Sequence, residues 1–185
     1  MANPLALGYR VEDLDWLRDE LGAAHLELDP WGSLIVSPAT DEHEAAVAVL
    51  ASQLDRQLGM PPGCVRVNGL AWRVPAGSGY LNVPDVAVVD PAWQRTGDLD
   101  VEPPPLLVVE VASPSTRGAD RGRKLSDYRL GAAGLYVLVD LPVDAQGPAV
   151  FTAHDFGSDH VATASGTVEL ELGGRAVLLD LAPTH

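Results

Sequence analysis

The sequence predicts an α/β fold, of the mixed α+β kind, with a mixed sheet at its centre. Two apolar runs typical of buried strands, Leu106–Ala112 and Leu135–Asp140, flank a helix candidate at Thr116–Leu130. A strand, a helix and a strand in this order favour a parallel crossover. After Pro142 the pattern changes to short alternating strands. The chain is therefore expected to combine one parallel β-α-β unit with flanking helices and extra antiparallel strands.

Local signals place the other elements. We predict helices at Val11–Leu21 and from a cap at Thr40 or Asp41 to about Leu58, and strands at His25–Asp29 and Ser33–Ser37. Asn68-Gly69 is a hairpin signal, so Cys64–Val67 and Leu70–Val74 are expected to pair. Tyr80–Val89 should be a strand or strand pair, and Asp90–Pro105 an exposed loop. The last strands are expected at Val150–His154, His160–Ala164, Val168–Leu172 and Ala176–Leu179.

Bulk properties indicate one soluble domain spanning residues 1–185. With 46% hydrophobic and 21% charged residues, the composition is that of an ordinary globular protein. No apolar run approaches the ~20 residues needed to cross a bilayer, and the N-terminus has no signal-peptide pattern. A single cysteine, Cys64, excludes an internal disulfide and a thiolate zinc cluster. These observations favour a cytoplasmic location and no membrane partner.

The formal net charge of −14 opposes nucleic-acid binding, because affinity for DNA comes largely from Lys and Arg contacts with phosphate. The charge is unevenly distributed, however. Between Ser115 and Leu130 there are two acidic residues and five basic ones: Arg117, Arg121, Arg123, Lys124 and Arg129. This segment is either a site for a polyanion or a solvated helix face that happens to be basic.

Two carboxylates lie in apolar, strand-like surroundings, Asp85 within VPDVAVV and Glu110 within LLVVEVA. A buried charge is costly unless it is paired. Mg²⁺ prefers carboxylate and carbonyl oxygens, so two acids on neighbouring strands, with the carbonyl of Val111 as a third ligand, could hold one ion. The alternative is that each acid pairs with an arginine, or that Asp85 only occupies a turn after Pro84.

Lys124 is the only lysine in a chain with eleven arginines. Near two carboxylates it could orient a water or stabilise charge on a phosphate; the alternative is an exposed helix lysine. Glu27 and His43 are supporting candidates. Alternation turns Glu27 away from Leu26 and Leu28, and His43 continues the apolar stripe of its helix, where a hydrogen-bonded core histidine is the commoner case. Ser113, Ser115 and Thr116 resemble a turn that caps the next helix.

Several of these residues resemble the Uma-type putative restriction endonuclease family, within the PD-(D/E)XK nuclease superfamily. The resemblance rests on Pro84-Asp85-Val86, on Val109-Glu110-Val111-Ala112-Ser113-Pro114-Ser115-Thr116, on Asp120, Lys124 and Tyr128, and on Leu135–Asp140. The segment Leu26–His43 is also similar. The family implies a restriction-endonuclease-like core in the order α-β-β-β-α-β, and Mg²⁺ or Mn²⁺ held by Asp85 and Glu110. Two residues after the acid, where the superfamily has lysine, this chain has Ala112, and the resemblance implies that Lys124 reaches back into the site.

Function is thus predicted as Mg²⁺-dependent hydrolysis of DNA phosphodiester bonds. Asp85, Glu110 and Lys124 are the predicted catalytic residues, Glu27, His43, Ser113 and Asp120 support them, and Arg117, Arg121 and Arg123 bind nucleic acid. The alternative is a catalytically silent module on the nuclease fold that binds nucleic acid or a protein; a third reading is hydrolysis of a smaller phosphate ester. A homodimer would suit double-strand cleavage, which uses two sites.

Overall fold

The computed structural model describes residues 8–21, 26–36, 40–58, 65–74, 76, 78–90, 99–112, 118, 120–142 and 147–181. Within them, three α-helices are found: α1 Leu14–Leu21, α2 Asp41–Leu58 and α3 Leu125–Leu130. A 3₁₀ turn, Val11–Asp13, precedes α1, and a π-helical turn, Asp120–Lys124, precedes α3. The strands are β1 Leu26–Leu28, β2 Leu34–Val36, β3 Val65–Asn68, β4 Val86–Val89, β5 Leu107–Ala112, β6 Leu135–Asp140, β7 Val150–Asp155, β8 His160–Ser165, β9 Thr167–Leu172 and β10 Arg175–Asp180.

Six strands form one mixed sheet in the order β3-β4-β5-β6-β7-β8. Only β5 and β6 are parallel, and the other neighbours are antiparallel. The parallel pair is joined through α3, as the strand, helix and strand pattern predicts. The predicted fold class, a mixed sheet with flanking helices and extra antiparallel strands, is confirmed.

Each face of this sheet is buried by a different part of the chain. On one face, Val86, Val109 and Val137 pack with α2 and with the β9–β10 hairpin. On the other face, Ala87, Val108 and Tyr136 pack with Tyr128 of α3 and with the segment around Trp72. Because successive strand residues point to opposite faces and both faces are covered, β4 and β5 are buried along their whole length, and Glu110 is the one charged residue in these two strands.

The N-terminal elements form a separate apolar cluster beside the sheet. β1 and β2 are an antiparallel hairpin, and Leu26 and Leu28 pack with Leu14 and Leu17 of α1. Leu28 also forms an isolated antiparallel bridge with Leu81. This bridge brings β1, and with it Glu27, to the segment that leads into β4.

Three local predictions differ from the structure. β3 pairs with β4, not with Leu70–Val74, although Gly69 has the positive φ of 58° expected of a turn residue. Local spacing predicts a hairpin partner directly after the turn, whereas the structure pairs β3 with a strand further along the chain. The predicted strand Tyr80–Val89 is regular only in β4, so Asp85 lies in a bend just before it. The described end of the predicted loop Asp90–Pro105 is not fully exposed, because Val101 is buried in the core.

Two glutamines connect α2 with the C-terminal hairpin. Gln53 donates to the carbonyl of Asp180 at 2.8 Å and accepts from its N–H at 2.8 Å. One helical turn later, Gln57 makes the same two-point contact with Leu178, at 2.6 and 2.7 Å.

None of the helices in the described residues combines the length and the apolar composition that a membrane-spanning helix needs.

The end of α3 packs closely against the side chains of Trp72 and Val74, so Gly131, which follows its last residue, should tolerate no added side-chain volume. A Cβ added at Gly131 would lie 2.7 Å from the ring of Trp72 and 2.8 Å from Val74. We expect Gly131→Ala to lower the free energy of unfolding by about 1–3 kcal/mol, measured by urea denaturation. Gly122→Ala is the matched control, since its Cβ would meet nothing within 4 Å, and stability there should hold or rise by up to ~1 kcal/mol. Equal losses in the two variants would contradict the packing described.

Candidate active site

Asp85 and Glu110 lie at the end of the antiparallel pair formed by β4 and β5. The register pairs Val86 with Val109, and Asp85 and Glu110 are the residues that directly adjoin this last pair, Asp85 in the bend before β4 and Glu110 within β5. Alternation assigns Glu110 to the face of Val108 and Ala112, which is the face covered by α3. Both acids are buried.

Asp85 is fixed by contacts from two directions. Its Oδ2 accepts the backbone N–H of Val111 at 2.7 Å and lies 3.2 Å from Nε2 of His43. His43 is in the first turn of α2, where the Thr40 hydroxyl accepts its backbone N–H at 3.2 Å, so the predicted cap is present. The hydrogen bond to Asp85, opposed by burial, raises the pKa of His43 above 6.5. His43 therefore faces inward, as its stripe position predicts, and holds a carboxylate of the site.

Glu110 receives two donors from the helical segment that follows β5. Its Oε1 accepts the Lys124 ammonium at 3.0 Å and the Tyr128 hydroxyl at 2.5 Å. Tyr128 is fully buried and stacks on Trp72 at 5.7 Å. Burial, followed by the charge of Glu110, raises the pKa of Tyr128 well above 10. The hydroxyl therefore keeps its proton and remains a donor to Glu110.

Lys124 connects Glu110 with Glu27. Its Nζ lies 2.9 Å from Oε1 of Glu27, and the same oxygen accepts the N–H of Val83 at 2.9 Å. The side chains of Lys124, Glu27 and Glu110 are only 7%, 8% and 4% exposed. A buried ammonium between two buried carboxylates satisfies the need for pairing that each charge has on its own. Lys124 is thus not an exposed helix lysine.

A second polar cluster lies directly beside the first. Nη1 of Arg123 donates to Oδ1 of Asn82 at 2.7 Å and to Oδ2 of Asp127 at 2.9 Å. Asn82 donates to the same Asp127 oxygen at 3.1 Å, and Tyr80 donates to Oδ1 at 3.2 Å. Desolvation and the charge of Asp127 raise the pKa of Tyr80 to about 12, so its hydroxyl also keeps its proton.

Four side chains of one helical face build these two clusters. Lys124 and Tyr128, four residues apart, hold Glu110, and Arg123 and Asp127, also four apart, hold Asn82. Residues at this spacing are neighbours on a helix. Lys124 is the last residue of the π-helical turn, a local variant that often marks functional positions. Sequence reasoning missed Asp127, Asn82 and Tyr80, whose partners are distant in the chain.

The predicted basic face is only partly exposed. Arg121 is exposed and pairs with Asp140 at 2.7 Å, whereas Arg123 turns inward to Asn82 and Asp127. The predicted residues Ser113 and Arg117 lie outside the described residues, and of Asp120 only the backbone, at the start of the π-helical turn, is described. The structure therefore groups Asp85 with His43 and the N–H of Val111, groups Glu110 with Lys124 and Glu27, and leaves Arg121 at the surface.

The donors at this edge suit a hard divalent cation. In a strand, the N–H and C=O of one residue point to the same side, so the carbonyl of Val111 points to the side on which its N–H meets Asp85. Two carboxylates and a carbonyl are oxygen ligands of the kind that Mg²⁺ and Mn²⁺ take. Among the described residues, no three His, Cys, Asp or Glu side chains form a metal-binding group, so such a site would depend on a backbone oxygen and water.

Comparison with known proteins identifies the fold and the family of this chain. No curated protein matches the chain. A solved structure from Anabaena variabilis, described as a putative nuclease belonging to DUF820, is 14% identical, with 76% of each chain covered and a TM-score of 0.60. At this identity the likeness shows the fold alone. The model of the Uma2 family, described as putative restriction endonuclease, matches residues 11–172, from the turn before α1 to the end of β9. The chain therefore belongs to the Uma2 family of putative restriction endonucleases.

Proposed function

We propose that this protein is a metal-dependent endonuclease that hydrolyses phosphodiester bonds of DNA. The observation that carries the proposal is the position of Lys124, 3.0 Å from Glu110 and 2.9 Å from Glu27 in a buried cluster. Ala112 leaves this part of the strand without a cation, and the lysine of the following helix supplies one there. The family membership supports a nuclease in general terms.

Asp85, Glu110 and the carbonyl of Val111 would hold Mg²⁺ or Mn²⁺ in this proposal. A bound divalent ion lowers the pKa of a coordinated water and neutralises charge on phosphate oxygens. Neighbouring residues of the chain hold these two carboxylates in place. His43 and the Val111 N–H fix Asp85, while Tyr128 and Lys124 fix one oxygen of Glu110. Each acid is thereby held in one orientation.

Lys124 has two roles in the proposed hydrolysis. Two carboxylates within 3.0 Å stabilise its positive charge. In the hydrolysis, a water oxygen would attack phosphorus while the bond from phosphorus to the leaving oxygen breaks. The attacking water would lose a proton to solvent and the leaving oxygen would take one from solvent, and negative charge would develop on the phosphate oxygens during this exchange. A fixed ammonium beside Glu110 stabilises this charge without moving, and it also orients the Glu110 carboxylate.

A non-hydrolytic binding module is the second candidate, and the charge favours it. The chain carries −14, and the inward turn of Arg123 removes one of the expected phosphate contacts. Such a module would bind a partner with or without a divalent metal and would release no cleaved product.

The two candidates are separated by one assay. Supercoiled plasmid, single-stranded DNA and RNA are each incubated with purified protein plus Mg²⁺, Mn²⁺ or EDTA. We expect the metals, and not EDTA, to convert plasmid into nicked or linear DNA. Binding of DNA in a gel-shift assay without any cleavage in either metal would support the binding module instead. Equal cleavage in EDTA would contradict a metal-dependent mechanism.

A further inference from the structure

We propose that Asp127 is a positioning residue that keeps Arg123 away from Glu27 and so reserves Glu27 and Glu110 for Lys124. This inference rests on the proposed function only where it concerns cleavage. Arg123 and Lys124 are consecutive cations on the same helical segment, and both reach the side of the sheet on which Glu27 lies. Other contacts must therefore determine which of these two cations pairs with Glu27 and Glu110.

Distances show how close the competing arrangement is. Nη2 of Arg123 lies 3.9 Å from Oε2 of Glu27, and this buried nitrogen has no hydrogen-bond partner in the described part of the chain. A shift of about 1 Å would bring it to hydrogen-bond distance. Arginine binds carboxylates through two parallel N–H groups and would compete strongly with a lysine.

Asp127 opposes that shift from the other side. It holds Nη1 of Arg123 at 2.9 Å and is itself fixed by Asn82 and Tyr80. Among the described residues, the carboxylates within 4 Å of these two cations include those of Glu27, Glu110 and Asp127. Without the charge of Asp127, Glu27 becomes the carboxylate nearest to Arg123. A bond from Arg123 to Oε2 of Glu27 would then draw this carboxylate away from Lys124, which is bound to its other oxygen, Oε1.

The single lysine of the chain provides a direct measurement. Protein labelled with ¹³C and ¹⁵N in lysine gives one side-chain Cε signal, which reports the surroundings of Lys124. In Asp127→Asn we expect this signal to shift toward that of a solvated lysine, and in Arg123→Met to stay in place. In the double variant, where the competing cation is absent, the signal should return to the wild-type position.

If the proposed function holds, the cleavage rate should fall in the variant whose lysine signal shifts and recover in the double variant. We expect the kcat of Asp127→Asn to fall about tenfold or more, as for other residues that orient a metal ligand, with KM little changed, and the double variant to recover most of this loss. Asp159→Asn is the matched control, because Asp159 also pairs with an arginine at 2.9 Å but is 76% exposed. It should change neither the lysine signal nor the kcat.

Failure of this inference is distinguishable from failure of the proposed function. An unchanged lysine signal in Asp127→Asn, or a double variant as perturbed as the single one, would overturn the positioning role even if the enzyme cleaves DNA. The expected pattern of signals without any cleavage would support the positioning role and contradict the nuclease. If Asp127→Asn does not fold, Asn82→Ser replaces it, since this variant removes an acceptor from Arg123 while keeping the charges of Arg123 and Asp127. The lysine signal and the kcat must then change in the same directions, by smaller amounts.

Discussion

Replacement of Lys124 by methionine is expected to destabilise the fold and abolish cleavage together. Methionine has a similar length but no charge, so Glu27 and Glu110 would remain buried without their common cation. Removing one partner of a buried ion pair costs about 3–5 kcal/mol. For a domain of this size the melting temperature should fall by roughly 10 °C, which differential scanning calorimetry measures.

Two companion variants separate charge from position. Lys124→Arg keeps the cation, so it should recover stability in part, while cleavage stays low if the smaller ammonium is needed between the two carboxylates. Arg121→Met removes a surface cation that pairs with Asp140 and whose side chain is 58% exposed. This substitution should lower the free energy of unfolding by less than about 1 kcal/mol. A Lys124→Met variant as stable as Arg121→Met would contradict the buried ion pairs.

Substitution of Asp85 by asparagine is expected to remove activity while leaving the fold in place. The asparagine oxygen can still accept from the Val111 N–H and the His43 ring, the two contacts that Asp85 makes. Stability should therefore stay within about 1 kcal/mol of the wild type. Loss of the charged ligand should lower metal-dependent cleavage by at least about 100-fold and weaken Mn²⁺ binding, measured by titration calorimetry.

A contrary result for Asp85 would have a clear meaning. If Asp85→Asn unfolds at a much lower temperature while Asp159→Asn does not, Asp85 is a structural partner of His43 and not a metal ligand. If the variant keeps full cleavage and full Mn²⁺ binding, the metal lies elsewhere in the protein.

Local pattern was sufficient for most of the fold. Strands such as Leu135–Asp140 and the β7–β10 strands are short apolar or alternating runs between clear turns, so their bounds agree within about one residue with the structure. The pairing of β3 was not predictable in this way. Asn68-Gly69 does turn the chain, but pairing depends on which strand covers the available edge, and that partner, β4, lies about twenty residues further on.

The site shows the same division between local and distant information. Glu110 stands out because an unpaired charge inside an apolar strand is costly, and Lys124 stands out because it is the single lysine. Asp127, Asn82 and Tyr80 give no such signal, since a polar residue on a helix or in a loop is ordinary. Their burial becomes visible only when three separate segments meet. The inward turn of Arg123 likewise follows from partners that no local spacing indicates.

The amide contacts between α2 and β10 have a consequence for assembly. Leu178 and Asp180 are two residues apart on β10, so their backbone groups point to the same side of the strand. Their N–H and C=O groups face away from β9, the other strand of this hairpin. An edge of this kind is a template on which a strand from another molecule can add, and continued addition leads to aggregates. Gln53 and Gln57 occupy that template from within the same chain. The helix thus serves as a surrogate neighbouring strand, closing the small sheet to intermolecular growth along this edge.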